Sequence, residues 1–597
     1  MKRVLKEMIA AVGVVTLSVP QGVAYAMIAG LPPAMGLYAT CIPVIVGSLL
    51  RSSRHVVAGP TNALSLLVGG ALVGQSSDPM SAAITLALLV GLMQVGAGLL
   101  RLGSVVDYIS SPVVLGYISG AGVLIGVGQL HNITGTTGPR GGLLTTLQGW
   151  LSVGPASAEP LAVGFAVATV ILLVGMRRLV PKIPGAVVAM VLAIGVNILL
   201  SLEDAGLAVI ADIAPVPTGL PPLTIPDLSL AVGLLPAAVA CTVLSLVESS
   251  AIARAIASDT GQRLSSSREF FGQGMSNIAA AFSGGYPISG SLSRSALNAQ
   301  LGAKTRWAGV ASGVLMLLVM LVLGPIVDHT PIAALAGLLL VVAFQLIDVP
   351  KIKRTIQTRP ADGIAFGVTF IAALLIPLNQ AIYLGVGISV VLFLQRARMI
   401  SVLEMVIGPR GRLRTISEPL TDDTLPEGFS RCQRIKILHV EGVLFFGAAG
   451  ELQLALDEAA AGVDVLVVRI KRTQGIDVTV IDVLESVAIA MDRRGQHLLL
   501  VGMPPRVMAT LQRAGAVEIL GEDALFPSRK RWFAAMNDAA GHAVGLVEPR
   551  CEQCSETGCV AAKYVEAQRA RRARERSKEA VALELPPEGC SVDPQQG

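Results

Sequence analysis

Glu248 and Arg294 are charges set into an otherwise apolar first half of the chain. From Met1 to about position 395 the sequence is a succession of long hydrophobic runs, and almost every other Lys, Arg, Asp and Glu there falls between runs. A charge at the centre of a bilayer costs at least about 3 kcal/mol on insertion scales, so its default meaning is a substrate or ion path. A guanidinium brings a permanent positive charge and a planar fork of N–H donors to an anion. A carboxylate out of water can carry a proton or ligate a cation. Two plainer readings stay open. Arg294 could belong with Lys304 and Arg306 and snorkel to the interface, and Glu248 could be a structural partner of Arg294 or of backbone groups.

Arg294 sits in GGYPISGSLSRSALN (284–298), just after Ser291 and Ser293. An earlier segment, HVVAGPTNALSLL (55–67), has the same make-up of Gly, Pro and small hydroxyl residues before a short helical stretch. Interrupted spans at corresponding places in two halves are the best sequence pointer to a transporter binding site. Their helix N-termini offer free N–H groups and positive dipole ends to an anion. The alternative is that Gly and Pro only kink packed helices. A third segment, PQGVAYAMIAGLPPAMGLYA (20–39), places Gln21 after Pro20 and Tyr25 one turn later. With Pro20 breaking the helix, both could line a pocket; a kink with Tyr25 as packing serves equally.

The elements that must position these residues are membrane spans. The chain has 597 residues, 53% hydrophobic and 15% charged, where a soluble protein is about one quarter charged. Runs long enough to cross the hydrocarbon layer as helices lie near 7–29, 34–50, 60–75, 81–99, 107–128, 160–177, 184–201, 230–253, 268–284, 290–301, 307–327, 331–347, 362–377 and 379–396. The interrupted segments open the third and tenth of these fourteen, as two seven-span halves of inverted topology require. The N-terminal run lacks a clear cleavage motif and reads as the first span. With the N-terminus cytoplasmic, one set of loops carries Lys2, Arg51, Arg101, Arg177, Arg178, Lys182, Arg254, Lys351, Lys353, Arg354 and other cations, whereas the opposite set carries only Arg140 among several acids. The positive-inside rule then puts both termini in the cytoplasm.

After Arg396 the composition changes. Residues 1–400 read as the transmembrane domain and 401–430, with Pro409, Gly411, Pro419 and Pro426, as a linker. In 431–540, IKILHVEGVLFF, VDVLVVRI and HLLLVGM look like buried strands alternating with helical spacing, which predicts a small α/β domain. Residues 541–597 read as a disordered tail. Cys551, Cys554 and Cys559, with His542 upstream, have loose metal-site spacing and read as unliganded. GAGVLIGVG (120–128) is a small-residue packing face inside a span, not a nucleotide loop. The Arg-rich run 569–576 reads as solvated or facing lipid headgroups, not nucleic acid. No catalytic pair, metal set or cofactor motif stands out.

These motifs resemble the SulP family of anion transporters. PQGVAYAMIAGLPPAMGLYA is similar to the family's signature in the first two spans, RSSRHVVAGPTNALSLL to its third-span segment, and SREFFGQGMSNIAAAFSGGYPISGSLSRSALNAQLGAKTRWAG to its ninth-to-tenth-span block. The soluble part resembles a STAS domain. The resemblance implies a fourteen-span, seven-plus-seven inverted fold, with core and gate domains working by elevator motion and the anion between the third and tenth helices. Carried over by position, Gln21, Tyr25, Thr61, Ser291, Ser293 and Arg294 would face that anion, and the protein would be a homodimer. Sodium-coupled bicarbonate members pair the acid at the place of Glu248 with a Thr one turn on. Here that position is Ile252, which favours proton coupling through Glu248. In the STAS part, GIDVTVIDV makes Thr479 the counterpart of a phosphorylatable Ser, although Asp477 also suits a simple helix N-cap.

Together these features imply a secondary transporter of a small inorganic anion in the bacterial inner membrane. Sulfate is the leading substrate, by proton symport or exchange. Bicarbonate or dicarboxylate uptake, or an anion sensor signalling through the STAS domain, are the alternatives.

Overall fold

Each of the fourteen apolar stretches contains a helix in the computed structural model. The structure describes residues 2–73, 78–103, 110–138, 142–153, 157–180, 185–216, 219–408, 412–416, 432–470, 473, 475–529, 534–547, 564–570 and 573. Arg140, Lys182, the Cys551–Cys554–Cys559 set, Cys590 and most of the Arg-rich run 569–576 lie outside the described residues. The chain divides into two units, Met1–Val391 and Leu392–Gly597.

The first half of the first unit runs α1 (Lys2–Ile28), α2 (Pro33–Tyr38), α3 (Ile42–Leu50), β1 (Ala58–Gly59), α4 (Asn62–Leu72), α5 (Pro79–Leu99), α6 (Ser111–Gly128), α7 (Leu130–Thr134), α8 (Leu143–Val153), α9 (Pro160–Leu179) and α10 (Gly185–Leu200). After the one-turn α11 (Ile210–Ile213), the second half repeats the plan. It comprises α12 (Ala231–Thr260), α13 (Ser266–Phe282), β2 (Ser289–Gly290), α14 (Leu292–Gln300), α15 (Trp307–Asp328), α16 (Ile332–Leu346), α17 (Val349–Thr358), α18 (Pro360–Leu375) and α19 (Leu378–Ala397).

Packing between helices reproduces the duplication. α13 lies on α5 as α3 lies on α15; α12 meets α5 as α1 meets α15; α12 meets α4 as α1 meets α14; α18 meets α6 as α16 meets α9. Exchanging the halves maps each pair onto another. The first three relations build one bundle, the core, and the last builds the gate. Glycine allows the closest approaches. A Cβ on Gly36 of α2 would stand 1.9 Å from the Gly22 carbonyl oxygen of α1, and one on Gly91 of α5 2.7 Å from the Ile278 nitrogen of α13. Two glycines of 120–128 serve the same end, Gly120 facing Ala373 and Gly122 facing the Ala343 carbonyl.

Among the described residues, eight stretches of helix are long and apolar enough to cross a membrane, and α4, α10, α18 and most of α15 are shorter apolar helices. α13 and α14 are neither, because they carry polar residues inward. Glu269, Gln273, Ser276 and Asn277 of α13, and Arg294, Ser295 and Asn298 of α14, are all buried. Polar side chains at membrane depth are tolerated where protein surrounds them. α1 runs on through Pro20, so the break expected there is absent. A proline in a long span loses one backbone hydrogen bond, and neighbouring side chains and helices compensate.

The second unit holds a six-stranded sheet of order β4-β3-β5-β6-β7-β8. Its strands are β3 (Ser401–Gly408), β4 (Arg412–Ile416), β5 (Ile435–Glu441), β6 (Val465–Arg469), β7 (His497–Met503) and β8 (Leu525–Pro527). β5 to β8 are parallel, and β3 is antiparallel to both β4 and β5. Its helices are α20 (Ala449–Ala460), α21 (Val478–Asp492), α22 (Pro505–Arg513), α23 (Ala516–Leu520) and α24 (Ala534–Val547). Strand alternation sends Leu438, Val440, Leu466, Val468, Leu498 and Leu500 toward α20–α23, and Ile435, Ile437, Val465, Val467, Leu499 and Val501 toward α24. Both faces are covered, so the strands read as continuous apolar runs.

Two expectations change here. Of the stretch read as a linker, 401–408 and 412–416 form the antiparallel strands β3 and β4 on the sheet edge, while 409–411 and 417–430 lie outside the described residues. The stretch read as a tail starts inside α24, and residues 564–570 are helical, with Tyr564 buried and its hydroxyl donating to Asn537 Oδ1 at 2.6 Å.

Candidate functional site

β1 and β2 pair antiparallel, Ala58 with Gly290 and Gly59 with Ser289. The pairing brings the N-termini of α4 and α14 together. Ser291 N donates to the Val57 carbonyl at 3.0 Å, and Val57 N donates to Ser295 Oγ at 2.9 Å. Polar side chains on other helices hold the β2 backbone. Asn277 accepts from Ile288 N at 2.7 Å, while Asn277 and Gln273 donate to the Ile288 carbonyl at 3.1 and 2.8 Å; Gln94 of α5 in turn takes Asn277 at 2.8 Å.

Arg294, the third residue of α14, is fully buried. Its Nη2 donates to the Pro60 carbonyl at 2.5 Å. Nε and Nη1 have no hydrogen-bond partner in the structure. The guanidinium lies against Gly59, whose φ is +148° and where a Cβ would stand 2.5 Å from Nη1. Glycine is therefore required there for space and for backbone. A residue so enclosed does not snorkel.

Around this charge stand the other residues singled out in the sequence. Gln21 of α1 donates to Ser293 Oγ at 3.2 Å, and Ser293 Oγ is 3.3 Å from Ser291 Oγ. Tyr25 is buried one turn beyond Gln21. Thr61, at the N-cap position of α4, donates from Oγ1 to Glu248 Oε2 at 3.1 Å. No ion pair joins Glu248 to Arg294 among the described residues. The structure thus gathers Gln21, Tyr25, Thr61, Glu248, Ser291, Ser293 and Arg294 at one place, from α1, α4, α12 and α14. Thr479 belongs to the second unit, exposed in the first turn of α21, where Asp477 caps the helix by accepting from Val480 N at 3.1 Å and also takes Phe446 N. Among the described residues no cluster of His, Cys, Asp and Glu suits a metal ion.

Sequence reasoning missed two parts. Tyr286 is fully buried, with its hydroxyl 2.9 Å from Ser65 Oγ of α4. The second part is a buried ion pair. Arg51, read as a loop charge, and Glu269 meet at 3.4 Å with side chains 0% and 2% exposed. Glu269 also accepts from Ser52 N and Ser53 N at 3.1 and 2.9 Å, and Arg51 Nη2 donates to Gln273 at 2.8 Å. The available signal was the i, i+4 spacing of Glu269 and Gln273 on one helix face.

The chemistry of the arrangement suits an anion. Donor hydroxyls, an amide and two unpartnered guanidinium nitrogens converge between two helix N-termini. A family model described as the sulfate permease family matches residues 4–369, and a STAS-domain model matches residues 430–531. The probable sulfate transporter MT1781 of Mycobacterium tuberculosis (strain CDC 1551 / Oshkosh) is 28% identical over 532 residues, 87% of this chain and 93% of that one. The murine Solute Carrier 26 family member A9 anion transporter, solved in the inward-facing state, shares the fold with a TM-score of 0.79 at 20% identity, over 91% of each chain. The transmembrane domain of the cyanobacterial bicarbonate transporter BicA shares it with a TM-score of 0.56 at 21% identity, over 65% of this chain and 98% of that one. With the family match spanning the helical unit and the STAS match the sheet-bearing one, this chain belongs to the sulfate permease family of membrane anion transporters, which are not enzymes.

Proposed function

We propose that the protein is a secondary active transporter of sulfate, driven by proton symport or anion exchange. The observation that carries this reading is the buried Arg294, with two unpartnered guanidinium nitrogens, at the meeting of the α4 and α14 N-termini. Each helix terminus contributes about half a positive charge. With the guanidinium the site offers about two, which matches a dianion. Thr61 links the α4 terminus to Glu248 directly, so a proton on Glu248 is felt where the anion binds. Substrate and proton then travel together when the core bundle carrying the site moves past the gate bundle. The cation-rich loops favour cytoplasmic termini by the positive-inside rule, and on this reading the transporter works as a homodimer.

Proteoliposome uptake of labelled sulfate, bicarbonate, chloride and a dicarboxylate, with and without a pH gradient, tests this. Sulfate uptake raised by an inward proton gradient, or by an opposing internal anion, is the expected result. Uptake of bicarbonate or a dicarboxylate without sulfate flux reassigns the substrate. Binding without flux of any anion makes the chain a sensor.

A further inference from the structure

One surface of the helical unit combines strong positive charge with exposed apolar flanks. α17 carries Lys351, Lys353 and Arg354, with Arg359 just beyond, and all four are exposed. Asp348 starts the helix, and its carboxylate is engaged by Lys351 N at 3.0 Å. Arg177 and Arg178, also exposed, form the last turn of α9. They belong to the same level of the molecule. α9 and α16 run parallel, with Ala162 beside Ala333 and Gly337 against the Ala166 carbonyl. Counting on along both helices sets Arg177 and Arg178 level with the start of α17. None of these six cations forms a side-chain ion pair among the described residues. Leu179, Val349 and Ile356 lie among them, 82%, 63% and 52% exposed.

We propose that this surface binds the headgroups of anionic phospholipids, in the leaflet reached by the ends of α9 and α16. The charge complementarity is direct: six unpaired cations meet a sheet of phosphates. The geometry fits as well. Two apolar spans end here, so the cations fall at headgroup depth. Val349, Ile352 and Ile356 share one side of α17, as in helices that lie in the interface with the apolar face toward the acyl chains. Both elements belong to the gate bundle, so the lipid contact would anchor that bundle while the other moves.

The test uses the full chain in detergent with a fluorescent phosphatidylglycerol, and phosphatidylcholine of the same chain length as reference. Each cation near an anionic surface changes affinity by about fivefold at low ionic strength. Lys351→Gln/Lys353→Gln/Arg354→Gln, and separately Arg177→Gln/Arg178→Gln, should each weaken phosphatidylglycerol about tenfold or more. Phosphatidylcholine binding should stay unchanged, and added salt should erase the difference. Lys351→Arg/Lys353→Arg keeps the charge and should bind as the parent does, which separates charge from folding. Unaltered phosphatidylglycerol affinity in monodisperse neutralised variants overturns the proposal. So does a changed oligomeric state at unaltered lipid affinity, which would make α17 a protein contact.

Discussion

Thr61 donates its hydroxyl to the Glu248 carboxylate at 3.1 Å while standing at the N-cap position of α4. One residue therefore touches both the acid of α12 and the helix terminus beside Arg294.

Glu248→Gln keeps the side-chain volume and removes titration. It should abolish uptake driven by a pH gradient and leave anion binding measurable. Thr61→Val, which deletes the link and keeps the acid, should weaken the pH dependence in part. Transport with an unchanged pH profile in both variants would leave Glu248 a purely structural role. Gradient-driven uptake in proteoliposomes beside equilibrium binding reads both quantities.

Arg294→Ala removes a charge-assisted contact, typically worth about 1.5–3 kcal/mol, or roughly ten- to a hundredfold in affinity. Divalent anions should lose more than monovalent ones. Arg294→Lys should restore part of the charge but not the planar fork. Competition binding across anions for the three proteins is the measurement, and parent-like binding by Arg294→Ala would remove Arg294 from the site.

Gly59→Ala changes no charge. The added methyl would meet the guanidinium at 2.5 Å, at a φ of +148°. Such backbone strain costs about 1–3 kcal/mol, and the guanidinium must move. Sulfate should weaken about as much as in Arg294→Lys, with a lowered melting temperature. Gly290→Ala has more room, its nearest contact being Ser249 Cα at 3.1 Å, and should be milder on both counts.

Glu269→Ala should destabilise the helical unit by about 3–5 kcal/mol, because it leaves Arg51 buried without a partner. Replacing both residues by Leu should recover only part of that. The N–H groups of Ser52 and Ser53 would still lose their acceptor. Thermal unfolding in detergent ranks the three variants.

Glu203 follows α10 of the gate bundle, and His329 follows α15 of the core bundle. His329 Nδ1 and Glu203 Oε1 are 2.8 Å apart, and Asn197 donates to both Glu203 and the His329 carbonyl. The hydrogen bond from His329, aided by Asn197, holds the Glu203 carboxyl below its ordinary value of 4.5. A carboxyl lowered in the folded state stabilises above its unfolded pKa, and loses that contribution as pH falls through the folded one. The parent should therefore exceed Glu203→Gln in melting temperature at neutral pH. The gap should close below about pH 4. It should be small throughout, because pairs at the surface contribute little.

The spans, the two interrupted segments and the parallel strands were legible in the sequence because each is a long-range pattern of apolar residues. Individual turns and charges were less so. Strands β3 and β4 were obscured because Pro409 and Gly411 give the stretch between them the composition of a linker. Arg51 and Glu269 sit at helix ends, where a charge ordinarily meets water, and only the fold reveals their burial. Pro20 signals a break, yet α1 is held by neighbours on several sides and continues. Arg294 was found from its position, whereas Gly59 became meaningful only once the two were seen in contact.

The duplication that builds the site is not carried through to its charge. Arg294 is the third residue of α14, and the third residue of α4 is Leu64, buried and neutral. A scaffold that looks nearly alike from either side of the membrane thus holds a cradle with a handedness of its own. On the proposed reading, an oxyanion would be gripped from the second repeat and merely accommodated by the first. Swapping the roles, with the cation on α4 and an aliphatic residue on α14, would mirror the field without altering the frame, and would ask whether direction in such a transporter resides in its helices or in a single guanidinium.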